Sequence, residues 1–228
     1  MGFAGFGPAT REFLADLSSH NDRAWFEDNR ERYDTDLREP AEAFILELGP
    51  MLEREYPSVL YDTRRNGSGS LMRIHRDVRF SPDKRPYKEN LGIIFPLAPG
   101  KKVEQDMFYF HIEAGSAFFY GGRHVFPPDA LERYRQAVDD ARRGPKLQTA
   151  LKRLEGFGLR PMEDPAYRRV PRGYPPDHPR AALLRQAAIG VGVDLSPDEL
   201  ASPGLPARCL AAAASMRPLM DWLAALGA

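Results

Sequence analysis

The chain has 228 residues, with 32 lysines and arginines balancing 32 aspartates and glutamates. Zero formal net charge argues against a broadly basic nucleic-acid binder. A single cysteine, Cys209, excludes an internal disulfide and a cysteine-rich zinc site, and a 43% hydrophobic share can fill a sizeable core in one large domain or two small ones.

The opening Met1-Gly2-Phe3-Ala4-Gly5-Phe6 lacks the basic and apolar regions of a signal peptide. Phe6 stands where a myristoylation signal needs Ser or Thr. No stretch reaches the roughly 18 apolar residues of a membrane span. The expectation is a cytoplasmic protein with no membrane partner. Thr10 is placed to cap a helix to about Ser18, with Phe13, Leu14 and Leu17 inward. His20-Asn21-Asp22 breaks it and offers a new cap. A second helix to about Leu37 carries Trp25, Phe26, Asn29 and Tyr33 near helical spacing. Pro40 opens a third, with Phe44, Ile45, Leu48 and Leu52 as its stripe, ended at Tyr56-Pro57.

Residues 64–70 form a basic, glycine-containing loop. It lacks the Gly-rich fingerprint with Lys-Ser or Lys-Thr of a nucleotide loop, so as a phosphate cradle its signal is weak. Alternation then predicts a strand over 71–80. Met72, Ile74, Val78 and Phe80 share one face, with Arg76 as an intruder. Arg73, His75, Asp77 and Arg79 share the other. Ser81-Pro82-Asp83 reads as a turn, and Pro86 argues against a helix through Tyr87 and Lys88. Over 73–89, six cations (Arg73, Arg76, Arg79, Lys84, Arg85 and Lys88) meet three carboxylates, a local excess on a neutral chain.

Gly92–Phe95, 106–114 and 117–120 follow as strands, joined by short turns into an antiparallel sheet. In the second of these, Tyr109, His111 and Glu113 alternate with Phe108, Phe110 and Ile112. Gly121-Gly122 closes the sheet, and helices follow from Pro127 to about Ala141 and from Pro145 to about Leu154. Residues 157–179 hold six prolines and read as an irregular segment packed on the body. Helices are expected near 180–189 and 204–226, with a capping box at Ser196-Pro197-Asp198-Glu199. Cys209, among Ala and Leu, reads as a buried, inert thiol. The predicted whole is a single α+β domain: helices over about 10–55, a central antiparallel sheet over about 70–122, and helices with the irregular segment over about 127–226.

If strands 71–80 and 106–114 share a sheet, their polar faces join into one surface. It would bring together Arg73, His75, Asp77, Arg79, Tyr109, His111 and Glu113. Arginine forks match phosphate or carboxylate, so an anionic ligand suits the surface. Arg73, Arg76, Arg79, Lys84, Tyr87 and Lys88 are the candidate binding residues. His111, Glu113 and Asp77 are the catalytic candidates, the first two for acid–base chemistry and Asp77 to orient an arginine. The same residues also fit a plain network of ion pairs across strands. His75-x-Asp77 and His111-x-Glu113 resemble metal-ligand spacing, but the arginines beside them repel a cation, and no metal is assigned.

Three stretches resemble one known family. They are Asn21–Tyr33 (with Trp25-Phe26 and Asn29-Arg30), Arg73-Ile74-x-Arg76-Asp77-Val78-Arg79-Phe80-Ser81-x-Asp83-Lys84-x-Pro86-Tyr87-Lys88, and Arg172-Gly173-Tyr174 with Asp177-His178-Pro179. The chain is similar over nearly its whole length to the domain of unknown function 2461 family of bacteria and fungi. The resemblance implies a single small α+β domain and no defined activity. His75 stands where the family pattern more often has Tyr, which makes the Arg, Asp and Lys positions the better candidates. The leading expectation is a binder, or an enzyme, for an anionic small molecule or nucleotide. A nucleic-acid-binding module and a structural or interaction protein are the alternatives. Whether it is an enzyme, its cofactors and its oligomeric state stay open.

Overall fold

Apolar spacing sets the N-terminal helices. The computed structural model describes residues 2–65, 67–162 and 166–227. Phe13, Leu14 and Leu17 are buried along α1 (Pro8–Ser19). Pro8 occupies its first turn, and Thr10 does not cap it: the Thr10 hydroxyl instead donates to the Asp36 carbonyl at 2.7 Å. Asp22 caps α2 (Arg23–Asp28), accepting from the Trp25 N–H at 3.0 Å. After Asn29 the chain continues through α3 (Arg30–Arg32), a π-helical turn over Tyr33–Arg38, and α4 (Glu39–Glu55). The wider turn changes the helical phase. Leu37 is buried within it, and Phe44, Ile45, Leu48 and Leu52 are buried along α4.

Five strands form one antiparallel sheet. They are β1 (Asn90–Pro96), β2 (Met107–Glu113), β3 (Ala117–Arg123), β4 (Arg160–Pro161) and β5 (Ile189–Asp194), in the order β1-β2-β3-β5-β4. The fold is therefore α+β. On β2, Phe110 packs on Phe6 (5.4 Å) and Phe44 (4.5 Å), so its helix-facing side is apolar. By contacts the chain divides into two units. The first comprises Met1–Phe95, Tyr109–Phe119 and Asp194–Ala211. The second comprises Pro96–Phe108, Tyr120–Val193 and Ala212–Ala228.

Two further expectations need correcting. The helix expected near 180–189 shrinks to α7 (Ala181–Leu184), and β5 follows it. Gly190 and Gly192 hide the alternation of β5, whose Ile189 and Val191 are buried. Gly190 is needed there, because a Cβ would lie 2.1 Å from the Tyr120 ring. The second correction is that 71–80 is not a regular strand, for reasons given below.

The irregular segment includes β4, and its residues 163–165 lie outside the described residues. Its C-terminal end is fastened to α5 (Pro128–Asp139). Arg180 donates from Nε to the Val138 carbonyl and from Nη2 to the Asp139 carbonyl (2.8 Å). His178 Nε2 lies 3.1 Å from Asp139 Oδ1, and His178 Nδ1 accepts from the Arg180 N–H at 3.0 Å. A cation on free carbonyls at a helix C-terminus is well placed. Arg180→Ala removes charged hydrogen bonds worth about 1.5–3 kcal/mol each. We expect a fall in melting temperature of at least about 4 °C, read by scanning calorimetry, since 1 kcal/mol moves a chain of this size by roughly 2–4 °C. The remaining elements are α6 (Arg143–Glu155), α8 (Pro197–Ala201) and α9 (Leu205–Ala224). Ser196 and Glu199 form the expected capping box on α8, and Cys209 is buried in α9.

Candidate functional site

The segment before β1 runs antiparallel to it, but out of step. The Ile94 N–H donates to the Ser70 carbonyl (3.0 Å) and the Met72 N–H to the Gly92 carbonyl (2.9 Å). Further along, the Lys88 N–H donates to Ile74 (2.7 Å) and the Arg76 N–H to Pro86 (2.8 Å). Bridges join Leu71 to Ile93 and His75 to Tyr87. Between those bridges the β1 side holds two more residues than the 71–75 side. That bulge interrupts the ladder, and past Arg76 the chain leaves on a turn-rich excursion over 77–85.

The excursion pairs with itself. Arg79 clamps Asp77 through Nε to Oδ1 (2.9 Å) and Nη2 to Oδ2 (2.7 Å). Asp77 Oδ1 also accepts from the Arg79 N–H at 3.3 Å. Asp83 repeats the motif with Arg85 and takes Arg76 Nη1 at 2.7 Å as well. Arg85 reaches Glu89, and Lys84 Nζ donates to the Val78 carbonyl at 3.0 Å. Four of the six cations are therefore spent on local partners. Phe80, expected on the core face, is 94% exposed, with the Arg79 guanidinium 5.8 Å from its ring centre. Hydrogen bonds from Arg79 hold the Asp77 carboxyl down to about 2, and Arg85 then Arg76 hold Asp83 lower still. Depressed values mean the pair's contribution is present above the usual carboxylate range and is lost as pH falls through about 2. A carboxyl-carbon NMR titration should show Asp77 ionising near 2, and Arg79→Ala should return it toward its ordinary value of 3.8. Tyr87 is no ligand-facing ring. It is 3% exposed and stacked on Phe26 at 4.1 Å, with its N–H held by Asn21.

Arg73 and Lys88 differ from the other four. Neither side chain has a hydrogen bond or an ion pair among the described residues, and they are electrostatic neighbours. Burial, then Arg73, pushes the Lys88 amine below its ordinary value. Arg73 lines a cavity of about 180 Å³. Its walls include Phe26, Arg30, Tyr33, Arg38 and Glu42 from the helices, with Arg64, Arg65 and His75 from the chain before β1. The weakly signalled basic loop is thus part of the cleft, although Asn66 within it lies outside the described residues. Most cations of this wall are answered. Arg65 forks onto Glu42 (2.9 and 2.9 Å), and Arg38 meets Asp34 (2.7 Å). Arg64 holds Asp62, and Arg30 lies 3.5 Å from Glu27. The π-helical turn places Tyr33 and Arg38 in this wall, and no pattern in the sequence announces it.

The expected single polar surface does not form. His75 faces the helices, with its ring near Phe26 (6.3 Å) and Tyr87 (5.2 Å). Met72 and Tyr109 instead meet over Gly92, where a Cβ would lie 2.6 Å from the Tyr109 hydroxyl and 3.2 Å from the Met72 sulfur. That is the side of β2 opposite Phe110. Arg73 and His75 are therefore apart from Tyr109, His111 and Glu113. On that second face, His111 Nδ1 lies 3.1 Å from the Tyr109 hydroxyl and 3.5 Å from Asn90 Nδ2. Its ring stacks on Phe118 at 4.6 Å. Burial pushes Tyr109 up to about 12, so its hydroxyl keeps its proton beside Nδ1. His111 Nε2 lies 3.7 Å from Glu113 Oε2. Burial also lowers His111, outweighing the opposing pull of Glu113. His111 and Glu113 are neighbours as predicted, and Asp77 is committed to Arg79.

These features define an α+β protein with an arginine-walled cleft beside a self-paired basic excursion. The chain belongs to the DUF2461 family, described as "Conserved hypothetical protein (DUF2461)", whose model matches residues 9–222. No curated protein and no solved structure matches it. No helix among the described residues is long and apolar enough to cross a membrane.

Proposed function

We propose that the Arg73 cleft binds a small molecule bearing phosphate or carboxylate. One observation carries the reading: Arg73 lines the cleft with no hydrogen bond or ion pair among the described residues, and Lys88 is its electrostatic neighbour. Two like charges, one half-buried, raise each other's energy, and an anion between them lowers it. The arginines around Arg73 supply planar donors that fit an oxyanion. Phe26, Tyr33 and His75 offer flat apolar contact to the rest of the ligand. A volume of about 180 Å³ is below the roughly 300–1,000 Å³ of drug-sized pockets. It suits a compact metabolite, or the phosphate end of a larger one. The test is a thermal-shift panel of inorganic phosphate, sugar phosphates, nucleotides and small carboxylates at constant ionic strength. Stabilisation by one class, saturating with concentration, supports the cleft. A flat response across the panel overturns it.

A second reading, single-stranded nucleic acid, is favoured only by Phe80. Its exposed ring beside Arg79 is a surface on which a base can stack. Oligonucleotide binding that falls steeply with salt and is lost in Phe80→Ala would support it.

A further inference from the structure

We propose that His75 is the second anchor of the anion site: with Arg73 it grips a doubly charged oxyanion, such as a phosphate monoester, and it takes up a proton as that ligand binds. The inference rests on the anion-binding reading of the cleft and adds to it a residue and a ligand class. His75 and Arg73 line the same cavity of about 180 Å³. They stand two residues apart in an extended stretch, so both side chains leave on one side. The register is pinned by the bridge from His75 to Tyr87, by the Arg76 N–H on Pro86 (2.8 Å) and by the Lys88 N–H on Ile74 (2.7 Å). The imidazole is seated against Tyr87 (5.2 Å) and Phe26 (6.3 Å). The Arg73 stem lies along the same wall, where a Cβ on Gly67 would meet its Cδ at 3.7 Å.

The chain has five histidines. His20 Nδ1 bonds to the Asp16 carbonyl, His111 Nδ1 meets Tyr109, His178 is bonded through both nitrogens, and His124 has a partner. His75 alone has neither ring nitrogen in a hydrogen bond among the described residues, and it faces the cleft. The charged and titratable groups around it are Arg23 and Glu27 on α2, Arg30 on α3, Tyr33 and Arg38 on the π-helical turn, Glu42 on α4, Arg64 and Arg65, Arg73, and Tyr87. Arg30, Arg38, Arg64 and Arg65 each meet a carboxylate. Arg73 and His75 are thus the cleft groups with donors left to give. One guanidinium balances one charge of an oxyanion, and the second charge calls for a second cation. Lys88 does not line the cavity; His75 does. Imidazole is the side chain that changes charge between pH 5 and 8. An anion on Arg73 favours its charged form, so by linkage protonation of His75 tightens the anion. The affinity is therefore highest at low pH and falls as pH rises and the imidazole loses its proton.

The test is an NMR titration of the intact protein with sulfate, which stays doubly charged from pH 5.5 to 8.5, and with methanesulfonate, which stays singly charged. Ionic strength is held constant. We expect sulfate to bind at least about fivefold more weakly at pH 8.5 than at pH 5.5, the low end of typical coupling. Methanesulfonate should bind more weakly than sulfate, with the gap widening as pH falls. On the parent chain, sulfate should move the titration midpoint of the His75 ring proton upward; that signal is assigned by its loss in His75→Gln. His75→Gln should bind sulfate about as weakly at every pH as the parent does at pH 8.5. His75→Phe, which keeps a ring against Phe26 and Tyr87, should do the same. Sulfate affinity that is flat with pH in the parent, or unchanged in both variants, overturns the role of His75 and leaves the Arg73 reading standing. If sulfate does not bind at any pH, this inference falls, and the wider reading then rests on the carboxylates of the thermal-shift panel.

Discussion

Arg123→Ala is expected to lower stability by about 3–5 kcal/mol, and by more at pH 7 than at pH 4. Arg123 lies on β3, and its Nε donates to Asp106 Oδ1 at 2.8 Å. Asp106 is only 8% exposed. The guanidinium also lies 5.2 Å from the Phe126 ring centre, a contact that the truncation removes as well. Burial raises the Asp106 carboxyl above its ordinary 3.8, although Arg123 pulls it down. A raised carboxyl means that the folded state binds the proton more tightly than the unfolded chain. Ionised Asp106 therefore costs stability as pH climbs past 3.8 and through the folded value. Without Arg123 the folded value rises further, so the loss relative to the parent grows with pH. Urea melts of both proteins at the two pH values read this directly. Asp106→Asn in the Arg123→Ala background should recover part of the loss at pH 7 and remove its pH dependence. A loss below about 1 kcal/mol that does not vary with pH would show that water reaches the carboxylate.

The sequence was most legible where one residue type repeats at a regular period. Phe13, Leu14 and Leu17, and Phe44, Ile45, Leu48 and Leu52, are buried as their spacing predicts. β2 reads true because Phe108, Phe110 and Ile112 alternate cleanly with polar positions. β5 was hidden because Gly190 and Gly192 carry no polarity to alternate. The misreading of 71–80 has a different cause. Exposure does alternate through Arg79, but a bulge and a self-paired excursion produce it, and Phe80 breaks it. A clue was present: Asp77 and Asp83 each stand two residues before an arginine, and each closes a turn on that arginine's own N–H. That spacing marks cations that are already paired. The cleft was only half visible, because Phe26, Tyr33 and Arg38 join Arg73 from residues some forty positions away through a π-helical turn. The long motif over 73–88 still identified the family correctly.

Arg73→Gln should abolish anion stabilisation, while Arg79→Ala should leave it intact. A ligand at 100 times its dissociation constant stabilises the parent by about 2.7 kcal/mol, a rise of roughly 5–10 °C for a chain of this length. Removing a partly desolvated charge that contacts the ligand costs about 2–5 kcal/mol of binding. At 3 kcal/mol the affinity drops roughly 150-fold, since 1.4 kcal/mol is tenfold. At the same ligand concentration less than about 0.5 kcal/mol of stabilisation then remains, within the noise of a melting curve. Without ligand, Arg73→Gln should melt close to the parent, because Arg73 has no ion pair among the described residues, and the lost attraction to Asp77 is offset by freeing Lys88 of a like charge. Arg79 is the opposite case. Among the described residues its partners are Asp77 and the face of Phe80, both at the solvent-exposed tip. Exposed pairs of this kind contribute little to stability, and the excursion lies outside the cleft wall. The two variants thus separate the cleft from the basic excursion beside it. If Arg79→Ala removes the anion shift and Arg73→Gln does not, the ligand sits on the excursion. If neither variant removes it, Arg73 is not where the anion goes.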